Sequence, residues 1–217
     1  MNAIRANRSI RLLLADDQAL VRGALAALLQ LEDDLEVVAE VSRGDEVVEA
    51  VLEHRPDVAL LDVEMPGIDG LTAARLVRAA VPDCRVLMVT TFGRPGYLKQ
   101  AMAAGASGFV VKDTPARQLA DAVRRVHQGL RVVDPNLAAE SLTAGDSPLT
   151  EREAEVLQAA RDGGTVADIA GQLFLSEGTV RNHLSSAIGK TGARTRAEAV
   201  RVAVDNGWLL PGSSLAD

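Results

Sequence analysis

The sequence has few of the residues that build disulfides, nitrogen–sulfur metal centres or aromatic stacking surfaces. It contains one cysteine, Cys84, and three histidines, so it can form no internal disulfide and offers no His/Cys metal cluster. Aromatic residues make up 2% of the 217 residues, which argues against a platform that stacks single-stranded bases. These shortages disfavour the function classes that depend on such groups.

Long apolar runs are also missing. Apolar stretches without a charge, such as residues 23–31, are far shorter than the roughly 18 residues of a membrane-spanning helix. Near the amino terminus, Asp16 and Asp17 interrupt the first apolar run too early for a secretory signal. With 47% hydrophobic and 24% charged residues, the composition is that of an ordinary globular protein, and we expect it in the cytoplasm.

Positive charge is scarce in both halves of the chain. The formal net charge is −7, of which residues 1–130 contribute −3 and residues 131–217 contribute −4. Neither half has the bulk charge of a nucleic-acid-binding domain. Any binding to DNA must therefore come from a local patch.

Residues 10–130 alternate short apolar runs with amphipathic segments. The runs are rich in Leu and β-branched residues, as in strands buried on both faces, and lie at 10–15, 36–40, 58–62, 86–90 and 108–111. The amphipathic segments predict helices at about 19–31, 45–54, 70–80, 95–104 and 115–128. In the first of these helices Leu25, Leu28 and Leu29 share one face. The pattern predicts an α/β fold with a five-stranded, doubly wound parallel sheet over residues 9–130.

A different pattern follows. Residues 131–146 are rich in small and turn-forming residues and predict a linker with at most one loose helix. Four short helices are predicted beyond it, at about 151–162, 166–173, 177–191 and 196–206. Thr150 with Glu153, and Thr195 with Glu198, have the spacing of capping boxes. We therefore expect a small all-α, four-helix domain at 147–210.

The carboxyl ends of four predicted strands carry polar side chains. These are Asp16 and Asp17 at the first strand, Asp62 at the third, Thr90 and Thr91 at the fourth, and Lys112 at the fifth. The carboxyl ends of strands in an open α/β sheet form its ligand-binding edge. Converging carboxylates need a cation, and oxygen ligands favour a hard ion such as Mg²⁺.

A carboxylate beside such an ion can accept a phosphoryl group, whose oxygens a lysine ammonium and a hydroxyl would contact. Each residue has an ordinary alternative, because a lone Asp after a strand is commonly a helix cap and a lone Lys is commonly solvated. The coincidence of suitable residues at four strand ends favours the chemical interpretation.

Four motifs in residues 9–130 resemble those of bacterial two-component receiver domains. They are LLADD at 13–17, LDVEMPGIDG at 61–70, VTT at 89–91 and FVVKD at 109–113. The resemblance implies that Asp62 is the phosphoacceptor. It also implies that Asp17, Asp62 and the backbone carbonyl of Glu64 bind Mg²⁺, with Asp16 acting through water.

The same resemblance assigns the switch residues. Lys112 and Thr90 are implied as phosphate partners, and Phe109 as the aromatic residue that reorients when Thr90 moves. Thr91 stands where many receiver domains have a smaller residue, which would restrict access to the phosphoacceptor.

The third of the predicted carboxyl-terminal helices has two distinct faces. Val180, Leu184 and Ile188 recur every four residues and predict a buried stripe. The opposite face is small and polar, with Arg, Asn and Ser in place of the Glu and Lys of an ordinary solvated face. Residues 176–201 carry five basic and two acidic side chains, which supplies a local positive patch for a DNA groove.

Residues 149–157, 169–170 and 175–184 resemble the LuxR-type helix-turn-helix, and the whole chain resembles a NarL/FixJ-family response regulator. In that family the third helix is the recognition helix. The resemblance places Arg181, Asn182 and Ser185 at base edges, and Ser176, Thr179 and Lys190 on phosphates. Because the domain has few cations, we expect a homodimer on paired half-sites.

The combined prediction is a phosphorylation-dependent transcriptional regulator, not an enzyme, with a sensor histidine kinase and double-stranded DNA as partners. Two alternatives stay open. An aspartyl-phosphate phosphatase would also use an Asp at a strand end with Mg²⁺. Such an enzyme normally places its nucleophile after the first strand, however, and residues 149–207 would have no purpose in it. A DNA-binding protein whose first domain is only a dimerisation module would leave the acidic pocket vestigial.

Overall fold

The computed structural model describes residues 9–91, 93–143, 146–161 and 163–209. They form two compact units, one built mainly from residues up to 138 and the other mainly from residues 139 onwards. Within these described ranges, no helix combines the length and the apolar character that crossing a bilayer requires.

The first unit is built on a parallel sheet in which the described residues form six strands. The strand order is β2-β1-β3-β4-β5-β6, so strands are added on both sides of β1, as in doubly wound flavodoxin-like folds. The strands are β1 (Ile10–Ala15), β2 (Leu35–Val41), β3 (Val58–Leu61), β4 (Arg85–Thr90), β5 (Gly108–Val111) and β6 (Val132–Val133).

Helices connect these strands, and their bounds agree with the predicted ones to within the last turn. They are α1 (Ala19–Leu29), α2 (Val47–His54), preceded by a 3₁₀ turn at Gly44–Glu46, α3 (Gly70–Ala80), α4 (Pro95–Ala103) and α5 (Ala116–His127). Leu119, Val123 and Val126 of α5 pack in the core cluster that the strands β1, β3 and β4 share. Leu29 of α1 is in the same cluster and Leu25 packs against it, whereas Leu28 is 44% exposed, so the predicted face is only partly buried.

The sheet has one strand more than the sequence predicts. β6 comes from the predicted linker and pairs with β5, with Gly108 opposite Val132 and Phe109 opposite Val133. Its two residues are too few for periodicity to reveal a strand. Gly108 permits the close approach, because a Cβ there would lie 2.9 Å from the carbonyl oxygen of Val132. A helix, α6 (Pro135–Thr143), occupies most of the remaining linker.

Beyond α6 the described residues form the four predicted helices. They are α7 (Glu151–Ala159), α8 (Val166–Leu173), α9 (Glu177–Thr191) and α10 (Arg196–Asp205). Thr150 and Glu153 form the predicted capping box. Thr195 also caps its helix, but the Glu198 carboxylate accepts a hydrogen bond from the backbone of Arg194, one residue earlier than a capping box requires.

The core of this second unit lies between α7, α8, α9 and α10. Val180 and Leu184 of α9 are buried there, and Ile188 packs against the same cluster, as the sequence predicts. Gly192 ends α9 in the left-handed conformation, with a φ of 67°, which glycine adopts without steric cost. The buried stripe therefore fixes which face of α9 remains at the surface.

Candidate functional site

The carboxyl ends of the strands bring the predicted acidic residues together. One carboxylate oxygen from each of Asp16, Asp17 and Asp62 lies within 4.8 Å of the others. Asp16 and Asp62 follow β1 and β3, which are neighbours in the sheet, and both residues are buried. Asp17 is exposed and forms the solvent side of the cluster.

Lys112, directly after β5, bridges two of these carboxylates. Its Nζ donates to Oδ2 of Asp62 at 2.7 Å and contacts Oδ2 of Asp16 at 2.8 Å. The Lys112 side chain is only 9% exposed. The residue that the sequence assigns to a phosphoryl oxygen therefore supplies one positive charge to the two buried carboxylates in this structure.

Both oxygens of Asp62 carry a hydrogen bond. Oδ2 accepts from Lys112, and Oδ1 accepts from the backbone N–H of Val63 at 2.7 Å. Burial raises the pKa of Asp62 to about 6, although the hydrogen bond and the charge of Lys112 oppose that rise. Asp62 is therefore mainly a carboxylate near neutral pH.

The charge of Lys112 is maintained by the same contacts. Burial disfavours the ammonium, but the hydrogen bonds to Asp16 and Asp62 outweigh it and raise the pKa of Lys112. Asp16 is oriented by a second contact, because its Oδ1 accepts from the backbone of Gln18 at 2.9 Å, just before α1 begins. The cluster is thus a connected network of opposite charges.

A pocket of about 260 Å³ opens beside Asp62. Its lining includes Gln18, Glu64, Thr90 and Thr91 as well as Asp62. Thr90 is buried and Thr91 is exposed, so the two threonines line the pocket at different depths. Thr90 and Glu64, which the sequence predicts at this site, therefore line the same pocket as Asp62.

Phe109 lies in the adjoining strand and is completely buried. It is paired in register with Met88 of β4 and with Val133 of β6. Its predicted reorientation stays a prediction, since the structure contains one conformation of this residue. The pairing of Phe109 with Val133 was not predicted from the sequence, because β6 was not predicted.

The donor set suits a hard divalent cation. The clustered ligands are carboxylates, and Glu64 lines the adjoining pocket, so oxygen is the available donor atom. Such donors match Mg²⁺, which is bound through one or two carboxylates and retains waters. The residues present therefore fit the ion that the sequence predicts.

Backbone packing behind Asp62 was not predicted from the sequence. The Asp69 side chain caps α3 by accepting from the backbone of Thr72 at 2.9 Å. The next residue, Gly70, lies so close that a Cβ there would overlap the carbonyl oxygen of Asp62. The start of α3 is thus held directly against the backbone of Asp62, and the Asp-Gly pair before an apolar segment was the available signal.

The predicted recognition helix α9 presents its polar face at the surface. Arg181, Asn182 and Ser185 are exposed. The Arg181 guanidinium donates to Glu177 at 2.6 Å, an exposed pair one turn apart on the helix. The sequence thus identified the accessible face, although it did not predict this pair.

Two residues predicted on phosphates form the amino-terminal cap of α9. The Ser176 hydroxyl accepts from the backbone of Thr179 at 3.1 Å and lies 2.8 Å from the Thr179 hydroxyl. Lys190, the third, donates to Oε2 of Glu153 on α7 at 2.7 Å. Glu153 is a residue that the sequence marks only as part of a capping box.

Comparison with known proteins assigns both units. Residues 12–124 match the family described as the response regulator receiver domain, and residues 147–203 match the bacterial regulatory proteins of the luxR family. The chain belongs to the response regulators of the NarL/FixJ type. The two matched segments correspond to the sheet-based unit and to the four-helix region, respectively.

Relatives match this response regulator over nearly their whole length. It is 41% identical over 200 residues to the transcriptional regulatory protein DesR of Bacillus subtilis (strain 168), covering 92% of this chain and 99% of the relative. It is 39% identical over 202 residues to the response regulator RamR of Streptomyces coelicolor (strain ATCC BAA-471 / A3(2) / M145), covering 92% and 98%.

A solved structure of another response regulator is also similar over most of its length. The crystal structure of the response regulator ChrA, from a heme-sensing two-component system, has 36% identity and a TM-score of 0.55. The match covers 90% of this response regulator and 96% of that chain. The protein is accordingly a DNA-binding transcriptional regulator rather than an enzyme, and the phosphatase alternative is rejected.

Proposed function

We propose that Asp62 accepts a phosphoryl group from a sensor histidine kinase with Mg²⁺, and that this event promotes dimerisation and operator binding. The proposal assigns residues 9–130 to the receiver domain, 131–146 to the linker and 147–210 to the DNA-binding domain. It places the protein in the cytoplasm, where operator DNA is reached. The observation that carries it is the contact of Lys112 with both Asp62 and Asp16 beside a pocket.

Phosphoryl transfer requires a rearrangement at Asp62. The bond from phosphorus to the kinase histidine breaks as a bond forms from phosphorus to an Asp62 oxygen. Both oxygens already accept hydrogen bonds, and the bond to phosphorus draws electron density from the attacking oxygen, which weakens its present contact. The Val63 N–H belongs to the backbone, whereas the Lys112 ammonium ends a flexible side chain, so Lys112 is the group that turns onto a phosphoryl oxygen.

Asp17, Asp62 and the Glu64 carbonyl would hold Mg²⁺, with Asp16 acting through water. Bound Mg²⁺ supplies positive charge to the phosphoryl oxygens. Asp17 is exposed, which leaves this side of the cluster open to solvent. Asp16 stays oriented by the Gln18 backbone while Lys112 changes partner.

Thr90 and Phe109 would report the modification to the rest of the receiver. Thr90 shares the pocket with Asp62, so its hydroxyl can turn towards a phosphoryl oxygen. Phe109 lies in the neighbouring strand β5 and would fill the space that Thr90 leaves. Phosphorylation then shifts the population of conformers towards the form that dimerises.

The polar face of α9 would enter the major groove. Arg181, Asn182 and Ser185 are exposed and can reach base edges, while Ser176 and Thr179 at the helix start would contact phosphates. The phosphate contact predicted for Lys190 competes with its ion pair to Glu153. Because the available positive charge is small, a homodimer on paired half-sites is needed for tight binding.

Labelling from acetyl phosphate tests the phosphoacceptor. The parent protein with Mg²⁺ is expected to incorporate label, and Asp62→Asn is expected to incorporate none while retaining its circular dichroism spectrum. Asp69→Asn is the matched control, since asparagine also caps a helix and the side chain lies in the same loop. Labelling of Asp62→Asn at the parent's level would overturn the assignment.

Beryllofluoride distinguishes a working pocket from a vestigial one. With Mg²⁺ it mimics the phosphorylated carboxylate, so it should increase dimer formation and DNA binding of the parent protein. Asp62→Asn should show neither increase. If beryllofluoride has no effect on the parent protein, the first domain is a dimerisation module controlled in another way.

A further inference from the structure

Glu153 is a buried carboxylate that the proposed function does not use. It lies on α7, is 5% exposed and accepts three hydrogen bonds. Oε2 accepts from the Thr150 backbone at 2.7 Å and from Lys190 Nζ at 2.7 Å, and Oε1 accepts from the Ser186 hydroxyl at 2.6 Å. One side chain of α7 therefore holds its own helix cap and two residues of α9.

These contacts stabilise the ionised form of Glu153. Burial opposes the charge, but the hydrogen bonds from Lys190, Ser186 and Thr150 outweigh it and lower the pKa of Glu153 to about 2. A buried carboxylate is retained at low cost when its oxygens are bonded in this way. The network is thus a fixed part of the folded domain.

The two α9 residues in this network stand beside the predicted base contacts. Ser186 and Lys190 are one turn apart, and Ser186 follows Ser185 directly. Asn182 is one turn before Ser186 on the same face, so a rotation or slide of α9 that breaks the Ser186 contact also displaces Asn182. The hydrogen bonds to Glu153 therefore fix the pose of the polar face.

We propose that Glu153 is a positioning residue for operator recognition, which sets the rotation and axial position of α9 through Ser186 and Lys190. This inference rests on the proposed role of α9 in binding DNA. It assigns the Lys190 ammonium to Glu153 and not to a phosphate. The sequence-based assignment of Lys190 is the competing account.

Salt dependence separates the two accounts of Lys190. The logarithm of the binding constant falls linearly with the logarithm of the salt concentration, and each phosphate contact makes this slope steeper by about 0.9. If Lys190 acts through Glu153, Lys190→Gln weakens binding to a selected operator and leaves the slope unchanged. A slope reduced by about 0.9 would show a direct phosphate contact and overturn the inference.

The main experiment uses the full-length protein with Mg²⁺ and beryllofluoride. The probes are a DNA duplex selected by the parent protein from a random pool and a scrambled duplex of the same composition. Glu153→Gln keeps the helix cap, because a Gln side chain can also accept the hydrogen bond from the Thr150 backbone in a capping box. It removes the negative charge that pairs with Lys190. The measured quantity is the ratio of the binding constant for the selected duplex to that for the scrambled duplex. We expect Glu153→Gln to lower this ratio about tenfold.

Glu155→Gln is the matched control. Glu155 lies two residues on in α7, is exposed and pairs with Arg152 on its own helix, so its loss should leave the ratio unchanged. In the double variant Glu153→Gln/Lys190→Gln, a neutral hydrogen bond can replace the ion pair. The double variant should therefore recover part of the lost ratio.

Other outcomes identify which proposal fails. A purely structural Glu153 predicts that Glu153→Gln lowers the stability to urea but keeps the ratio at the parent's value, which overturns the positioning role. If Arg181→Ala also leaves the ratio unchanged, then α9 is not the recognition helix and the proposed function itself fails. If only Arg181→Ala lowers the ratio, α9 binds DNA without help from Glu153.

Discussion

The charged side chains of the acidic pocket are buried, whereas those on the polar face of α9 are exposed. In the pocket, Lys112 and Asp62 have side chains only 9% and 3% exposed, and their charged atoms bond to each other. On α9, the Arg181 side chain is 62% exposed and pairs with a neighbour on its own helix. The charges of the pocket are therefore shielded from water and paired across the sheet, and the charge on α9 is accessible to solvent.

This difference matches the two tasks proposed for these sites. Charges removed from water interact strongly, so adding a phosphoryl group to one of them alters the balance of the whole cluster. Exposed charges interact weakly with each other, so they can exchange a helix neighbour for a DNA base at little cost. The pocket is suited to switching and the helix face to recognition.

Removal of Lys112 should have the largest effect on this contrast. Lys112→Met leaves the Asp16 and Asp62 carboxylates together without their cation, and breaking a buried pair in this way costs about 3–5 kcal/mol of folding free energy. Hydrogen exchange of the sheet amides in β1 and β3 near neutral pH measures the loss. Phosphoryl acceptance should also be abolished.

Two additions sharpen that prediction. Mg²⁺ should restore part of the stability of Lys112→Met, because a divalent ion supplies the missing charge to the same oxygens. Combining Asp62→Asn with Lys112→Met should also reduce the loss, since one of the two carboxylates becomes neutral. A Lys112→Met protein as stable as its parent would contradict the claim that the pocket's charges are strongly coupled.

Truncation on α9 should affect binding without affecting folding. Arg181→Ala and Asn182→Ala should each lower the affinity for a selected operator by about 1–3 kcal/mol. Their stability should change by less than about 0.5 kcal/mol, because an exposed pair on one helix contributes little. DNA titration and urea unfolding give the two quantities.

Arg152→Ala is the control for this pair of measurements. Arg152 is as exposed as Arg181 and is also paired on its own helix, but it lies on α7. Its replacement should change neither binding nor stability. An equal loss of affinity in Arg152→Ala would show that overall charge, and not the α9 face, determines binding.

A smaller effect should appear in the pH dependence of Glu153, the buried charge beside the exposed face. Its pKa is lowered to about 2 in the folded protein from an ordinary 4.5. The unfolded chain therefore takes up the proton first, and the stability that Glu153 contributes above pH 4.5 is lost as the pH falls towards 2. The stability difference between the parent and Glu153→Gln should shrink over that range.

Trp208 provides the measurement, because it is the single tryptophan of the chain and packs on the core of the second unit. Its fluorescence during urea unfolding, at pH values from neutral down to the lowest at which both proteins fold, reports that unit. A difference that stays constant with pH would show that the Glu153 charge does not stabilise the fold.

The pocket was predictable because strand ends and residue types coincide in the sequence. Each of Asp16, Asp62, Thr90 and Lys112 is placed by an apolar run just before it, and parallel strands put such ends at one edge. The buried stripe of α9 was predictable for a similar reason, since its apolar residues recur at helical spacing. Local periodicity is sufficient for both.

Contacts between elements distant in the sequence were not predictable in this way. The pairing of Lys190 with Glu153 joins residues of two helices, and no local pattern marks it. β6 is too short to show a period, and its position depends on the approach that Gly108 permits. The spacing of Leu28 puts it on the same helix face as Leu25 and Leu29, but Leu28 is 44% exposed, and no local pattern marks where burial of that face ends.

The start of α3 against the carbonyl oxygen of Asp62 has a consequence for sequence variation near the proposed phosphoacceptor. Position 70 has no room for a methyl group, so selection for a folded protein alone would retain glycine there. Invariance at this position in a randomised library would thus report on steric fit and not on phosphoryl chemistry. Tolerance at Asp62 itself, where asparagine fits the same space, would separate the two kinds of constraint.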